Sequence, residues 1–127
     1  DNNLIGYTLL RLRKCIISYN QKKLNQKYLL FDTLILKNEY RKRNLSHLLM
    51  NLNSTVILRM KLFSFLICNN KLLLFYKKFG WKKLNNKNIK IMDKKFVSNG
   101  MIFNENLVKQ IKMIQIKNTV FKFYYNK

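Results

Sequence analysis

Between residues 28 and 68 the hydrophobic pattern changes period twice, and this limits the fold more than any other feature of the chain. Tyr28–Leu36 is apolar apart from Asp32 and Thr33, and short, as a central strand buried on both faces should be. Lys37–Asn44 is polar and basic. Leu45–Met60 then sets Leu45, Leu48, Leu49, Leu52, Val56 and Arg59 at three- and four-residue steps, which predicts an amphipathic helix. Leu62–Cys68, interrupted only by Ser64, reads as a second buried strand. A strand–helix–strand unit implies a parallel pair joined by a right-handed crossover. In such sheets ligands sit at the carboxyl ends of the strands.

The remaining segments extend this unit. Asp1-Asn2-Asn3 suits a hairpin turn, since Asx residues tolerate left-handed backbone. Leu4–Ile17 reads as a strand in which Arg11 and Arg13 alternate with Leu10 and Leu12. Tyr19–Lys27 is polar and reads as a loop. Asn69–Phe79 predicts a helix with Leu72, Phe75, Tyr76 and Phe79 on one face, Asn69 as N-cap and Gly80 at C′. Trp81–Leu84 opens another strand, and Val97–Phe103 is strand-like with Gly100 as a bend. Glu105–Lys127 stays open: Leu107, Ile111 and Ile114 suit a helix, while Val120–Tyr125 alternates like a strand. The expected class is α/β with a mixed sheet, in a single domain over residues 1–127 whose core motifs lie in 28–81 and whose last strands and helix lie in 82–127.

Composition narrows the function classes. Apolar residues make up 48% of the 127, enough for a core, which argues against a disordered chain. The longest apolar run falls far short of the roughly 20 residues a membrane span needs. Cys15 and Cys68 are too few for a disulfide scaffold or a zinc site and read as small buried hydrophobes, and the one histidine, His47, excludes a His-rich metal site. A reducing cytoplasm is the default compartment. The formal charge of +21 would ordinarily suggest nucleic acid or an anionic membrane. Here Lys is 21, Asn 18 and Arg 5, with Ala and Pro absent and Gly 3, a skew that AT-rich codons impose on any protein. Charge alone therefore argues little for nucleic-acid binding.

Two stretches carry chemistry. In Leu34-Ile-Leu-Lys-Asn-Glu-Tyr-Arg-Lys-Arg-Asn-Leu-Ser-His-Leu-Leu49 a buried strand ends, a basic turn follows and a helix begins. A helix N-terminus offers unpaired N–H groups and a positive dipole end, which suits a diphosphate, and Arg41, Lys42 and Arg43 add charge. The same turn without a ligand is a solvated basic loop. In Asn69-Asn-Lys-Leu-Leu-Leu-Phe-Tyr-Lys-Lys-Phe-Gly-Trp81, Tyr76 lies on an apolar helix face, where a packed core tyrosine is the plain alternative.

Together these segments resemble the GCN5-related N-acetyltransferase (GNAT) family. Leu36-Lys-Asn-Glu-Tyr-Arg-Lys-Arg-Asn-Leu-Ser46 occupies the family's acyl-CoA loop pattern, Val-x-Pro-x-Tyr-Arg-Gly-x-Gly-x-Gly/Ala, with Asn44 and Ser46 where loop glycines stand. Asn69, Leu72, Tyr76, Gly80 and Trp81 keep every interval of Asn-x-x-Ala-x-x-x-Tyr-x-x-x-Gly-Phe. Ile5-Gly6-Tyr7 looks like the family's third strand. The likeness covers 1–81 and is nearest in character to the aminoglycoside-acetyltransferase branch. It implies an acetyl-CoA-dependent transfer to the primary amine of a small molecule by direct attack, without a metal. Backbone groups of Leu34, Ile35 and Leu36 would pair with the pantetheine arm. Those of Arg41, Lys42, Arg43, Asn44, Leu45 and Ser46 would hold the pyrophosphate. Asn69 would help hold the pantetheine or position the second helix. Tyr76 would protonate the leaving thiolate. Asp32, where that branch has a Glu, would be the base, against a plain role as a structural Asp bonded to backbone. Glu39 reads as surface and His47 as solvent-facing.

The family's domain opens with a strand, two helices and another strand, and none precedes Asp1. The expectation is an N-terminally incomplete domain, its gap filled by nothing, by the C-terminal segment, or by a second chain in a homodimer. Two alternatives stay beside the enzyme: a non-catalytic acyl-CoA-binding remnant, and a basic nucleic-acid- or ribosome-associated protein using Tyr19, Tyr28, Tyr40, Phe121 and Tyr124.

Overall fold

The computed structural model describes residues 6–36, 45–92, 94–95, 98–104 and 119–124. Its first element is a long hairpin. Strand β1 (Gly6–Tyr19) pairs antiparallel with β2 (Lys22–Leu36) from Tyr19↔Lys22 to Gly6↔Leu36. The turn holds only Asn20 and Gln21, both at positive φ (46° and 63°), the geometry whose twist matches paired strands. The expected loop over residues 19–27 is thus strand on both sides of a two-residue turn. Its polar character misled because these residues alternate: Leu24, Gln26 and Tyr28 turn inward while Lys23, Asn25 and Lys27 face solvent.

Helix α1 (Leu45–Met60) follows, then β3 (Ser64–Cys68), a 3₁₀ turn at Asn70–Leu72, and helix α2 (Leu73–Lys77). Five short strands close the chain: β4 (Lys82–Lys83), β5 (Ile89–Ile91), β6 (Lys94–Lys95), β7 (Asn99–Phe103) and β8 (Val120–Phe123). All eight form one mixed sheet in the order β4-β7-β3-β2-β1-β8-β5-β6. As the period change predicted, β2 and β3 are parallel. Strand β8 decides the C-terminal ambiguity for residues 120–123, and the helical alternative on Leu107, Ile111 and Ile114 lies outside the described residues. No helix among the described residues is long and apolar enough to cross a membrane.

The sheet curls, so it has a core on each face. On one face β5 and β8 fold over β2 and β3: Phe123 stacks on Phe65 with centroids 3.9 Å apart and meets Tyr28 edge-on at 5.0 Å. Gly100 packs against both Ile89 and Phe65 on this face. A Cβ there would come within 2.5 Å of Ile89 Cδ1 and 2.8 Å of the Phe65 ring. The expected bend is instead a regular strand position that needs a missing side chain. On the other face α1 and α2 cover Leu29, Phe31, Leu66, Trp81 and Met101.

Helix α1 has the predicted bounds but buries a different stripe. Met50, Asn53 and Ile57 face the sheet, whereas Leu48 and Leu52 are each 54% exposed and Val56 44%. The helix is apolar over more than one face, so spacing could not tell the buried stripe from its neighbour. Asn53 accepts a 2.9 Å hydrogen bond from Thr8 Oγ1, a partner only tertiary structure supplies.

Candidate active site

The site follows from how little of β2 and β3 pairs. Their parallel ladder consists of Leu29↔Ser64 and Leu30↔Phe65. Leu29 N–H donates to Phe63 O at 3.0 Å, and the buried Ser64 hydroxyl donates to Leu29 O at 2.7 Å, pinning the junction. Beyond it β2 runs on to Leu36 with β1 alone, and β3 runs on to Cys68 with β7 alone. The strands therefore fork toward their carboxyl ends. The backbone of β2 facing the fork has no strand partner among the described residues, and buried N–H and C=O groups seek one.

A bulge in β2 lies where the fork opens. Leu10 opposes Phe31 and Leu9 opposes Thr33, which leaves Asp32 as an extra residue on β2. Phe31 and Leu34 consequently both pack beneath α1, though three residues apart. Asp32 turns to the opposite face, where its Oδ2 accepts from Arg11 Nε at 2.8 Å; the two side chains are 41% and 47% exposed. This answers the cost of an Asp in a central strand: the carboxylate is neither buried nor unpaired.

Both helices start at the open end of the fork, α1 returning after the end of β2 and α2 following β3. Tyr76 of α2 is buried and meets Phe31 edge-on at 6.0 Å, Phe75 at 5.3 Å and Trp81 at 6.2 Å. Burial, then the nearby Cys68 thiol, push its hydroxyl above the ordinary tyrosine value, so it is held as a proton donor at neutral pH. Gly80 ends this segment at φ +87°, the left-handed position assigned to it from sequence.

Of the residues singled out from sequence, the fold brings Tyr76, Leu34 and the backbone of Ile35 and Leu36 to the fork. Leu45 and Ser46 stand, half-buried, on the first turn of α1. Arg41, Lys42, Arg43, Asn44 and Glu39 lie outside the described residues. Asp32 is near the fork but on the face of β2 away from Tyr76. Asn69 occupies the N-cap position without a side-chain cap: its carbonyl accepts from Leu72 N at 3.2 Å instead. The neighbouring Asn70 does the anchoring, its Oδ1 accepting from Asn99 Nδ2 at 2.7 Å. His47 is exposed as expected, yet its ring lies edge-on to Phe79 at 5.2 Å and Phe75 at 6.3 Å, joining the start of α1 to α2. Sequence reasoning missed Ser64, Asn70 and Arg11. Only Ser64 left a trace, as the one polar break in an apolar strand.

No protein-family model and no curated protein matches the chain. Solved structures do. A tyrosine-to-phenylalanine variant of the AtaT toxin bound to the C-terminus of the antitoxin AtaR is 16% identical with a TM-score of 0.59, over 82% of this chain and 61% of that one. The same toxin with AtaR and acetyl-CoA gives 19% and 0.54, over 81% and 61%. Naa20 of Chaetomium thermophilum in complex with a bisubstrate analogue gives 15% and 0.55, over 98% and 73%. The fold is that of the GNAT acyl-CoA N-acyltransferases. The chain spans about three-fifths of the AtaT toxin's length. At such identities the likeness carries the architecture, while substrates have to be argued from the site.

Proposed function

We propose that this chain is an acetyl-CoA-dependent N-acyltransferase that moves the acyl group to a primary amine of a small molecule by direct attack. The observation that supports this best is the fork: a bulged strand with no strand partner on one side among the described residues, and a buried tyrosine on the helix that follows the other strand. The pantetheine arm would add to Leu34, Ile35 and Leu36 as a further strand, and the pyrophosphate would rest on backbone N–H groups of Arg41, Lys42, Arg43, Asn44, Leu45 and Ser46. Asn69 borders the fork where the pantetheine would pass. The amine nitrogen attacks the thioester carbonyl, the C–S bond breaks, and the departing thiolate takes its proton from Tyr76. Arg11 engages one oxygen of Asp32, which leaves Oδ1 to accept the amine's proton, directly or through water. Holding amine and thioester together supplies much of the rate. The AtaT structures hold acetyl-CoA and a protein antitoxin segment; for this chain acetyl-CoA is the proposed co-substrate and the amine the proposed acceptor. The two free, buried thiols fit a reducing cytoplasm.

One observation favours a second reading, a non-catalytic acyl-CoA binder: Asp32 and Tyr76 lie on opposite faces of β2. Calorimetric titration with acetyl-CoA at about 0.15 M and about 0.5 M salt, with ATP as polyanion control, separates the cases when followed by thiol release across a panel of amines. Binding that survives salt and exceeds ATP, with turnover, supports the enzyme. The same binding without turnover on any amine supports the remnant. Binding equal to ATP and lost in salt overturns both and leaves a polyanion binder. Asp32→Asn should flatten the pH dependence of kcat; an unchanged profile makes Asp32 structural.

A further inference from the structure

The segment that carries Tyr76 is too short to hold itself. The 3₁₀ turn Asn70–Leu72 (3 residues) runs directly into α2 (5 residues). Helices shorter than about 12 residues are marginal in water without tertiary support. The far end of this segment is fixed by backbone: Phe79 N and Trp81 N donate to Tyr76 O at 3.0 and 3.3 Å, and Gly80 N donates to Lys77 O at 3.1 Å. The near end lacks the usual device. Asn69 and Leu72 stand in the two cap positions, and neither makes a side-chain cap bond.

Another strand holds that near end. β7 begins opposite the end of β3, with Asn99 in register with Cys68. Ser98 Oγ donates to Cys68 O at 3.4 Å, and Asn99 Nδ2 donates to Asn70 Oδ1 at 2.7 Å. The two bonds grip the chain on either side of Asn69. They are unequal: the first is long and comes from an exposed serine, whereas Asn99 is only 9% exposed. The Asn99 side chain lies on the face that α2 covers, as Met101 two residues further does. An amide buried there costs free energy unless it is bonded, so the contact with Asn70 is one the fold requires. A hydroxyl that protonates a departing thiolate must be placed closely, since a displacement of about 1 Å can cost about 10²-fold in rate. We propose, on the reading of Tyr76 as the acid, that Asn99 is a positioning residue: by anchoring Asn70 it fixes the turn after β3 and, through it, the place of the Tyr76 hydroxyl.

A double-mutant cycle on thiol release from acetyl-CoA tests this. Asn99→Ala should lower kcat about tenfold in the parent chain and less than about twofold in the Tyr76→Phe background. Asn70 is exposed, so Asn70→Ala removes the same bond without emptying the core, and it should match Asn99→Ala. Asn70→Asp keeps an oxygen for Asn99 Nδ2 to donate to and should restore most of the rate. Equal losses in both backgrounds would mean general destabilisation and overturn the proposal, as would an Asn99→Ala chain as fast as the parent. If Tyr76→Phe itself leaves kcat unchanged, the acid reading fails first and the proposal with it. A second readout needs no turnover: the carbon-13-labelled Tyr76 ring, assigned by its loss in Tyr76→Phe, reports its own titration. Burial holds that titration above the ordinary tyrosine value, and Asn70→Ala and Asn99→Ala should move it back down. A Tyr76 titration that neither variant moves overturns the proposal.

Discussion

The two halves of β2 differ in what pairs with them as well as in composition. Residues 22–30 are closed by β1 on one side, reach β3 on the other, and contribute Tyr28 and Leu29 to the cores on opposite faces of the sheet. Residues 31–36 keep β1 and lose β3, after a bulge at Asp32. The first half alternates polar and apolar residues, the second is apolar apart from Asp32 and Thr33, and both are extended. One joins three strands, and the other has no strand partner on its β3 side among the described residues. A sheet can thus leave room between two strands by ending their ladder early, without a special side chain at every position.

The sharpest way to break this division is to damage each half and read the opposite property. Phe65→Ala empties a buried position stacked on Phe123 at 3.9 Å and should cost about 3–5 kcal/mol in a denaturant melt. Tyr76→Phe, at the fork, should lower kcat by about 10–10³-fold with acetyl-CoA affinity nearly unchanged. Because the Tyr76 hydroxyl is pushed above its ordinary value, the alkaline fall in kcat should lie above that value in the parent chain and vanish in the variant. An unchanged kcat removes Tyr76 as the acid.

Ser64→Ala tests the junction between the halves. Loss of the buried 2.7 Å bond to Leu29 O should cost about 1–3 kcal/mol and speed amide exchange at Leu29 more than at Leu12. Cys15 tests the closed half by pH. Its thiol is pushed by burial from 9.0 up to about 12, so the folded chain keeps a proton that the unfolded chain sheds. This contribution is fully present below pH 9.0 and falls as pH rises from 9.0 toward about 12, by about 1.4 kcal/mol per unit. Cys15→Ala should flatten that part of the stability–pH curve. The smallest effect belongs to Arg11→Ala: an ion pair this exposed should contribute at most about 1 kcal/mol to melting, and the informative readout is the pH profile of kcat.

Local signals were legible in the sequence where backbone preference decides the outcome. Glycine at position 80 adopts φ +87°, as a helix end requires. The change of period marked β2, α1 and β3, with α1 at its observed bounds. The candidate site was only partly legible. Tyr76 stood out because its spacing to Asn69 and Gly80 is local. The pairing of Asp32 with Arg11, and of Asn70 with Asn99, joins residues 21 and 29 positions apart, and spacing along the chain does not encode such distances.

By itself, then, the sequence determined the parallel strand–helix–strand unit, the end of the second helix segment and the apolar face that carries Tyr76. All three depend on periodicity or on a single residue's backbone freedom, which act over one or two turns. Tertiary structure alone decided which stripe of α1 is buried, why position 100 must lack a side chain, where β2 gains its extra residue, and that residues 120–123 return to the edge of β1. Each of those depends on what stands across the sheet, where a neighbour's volume or an unpaired backbone group outweighs local preference.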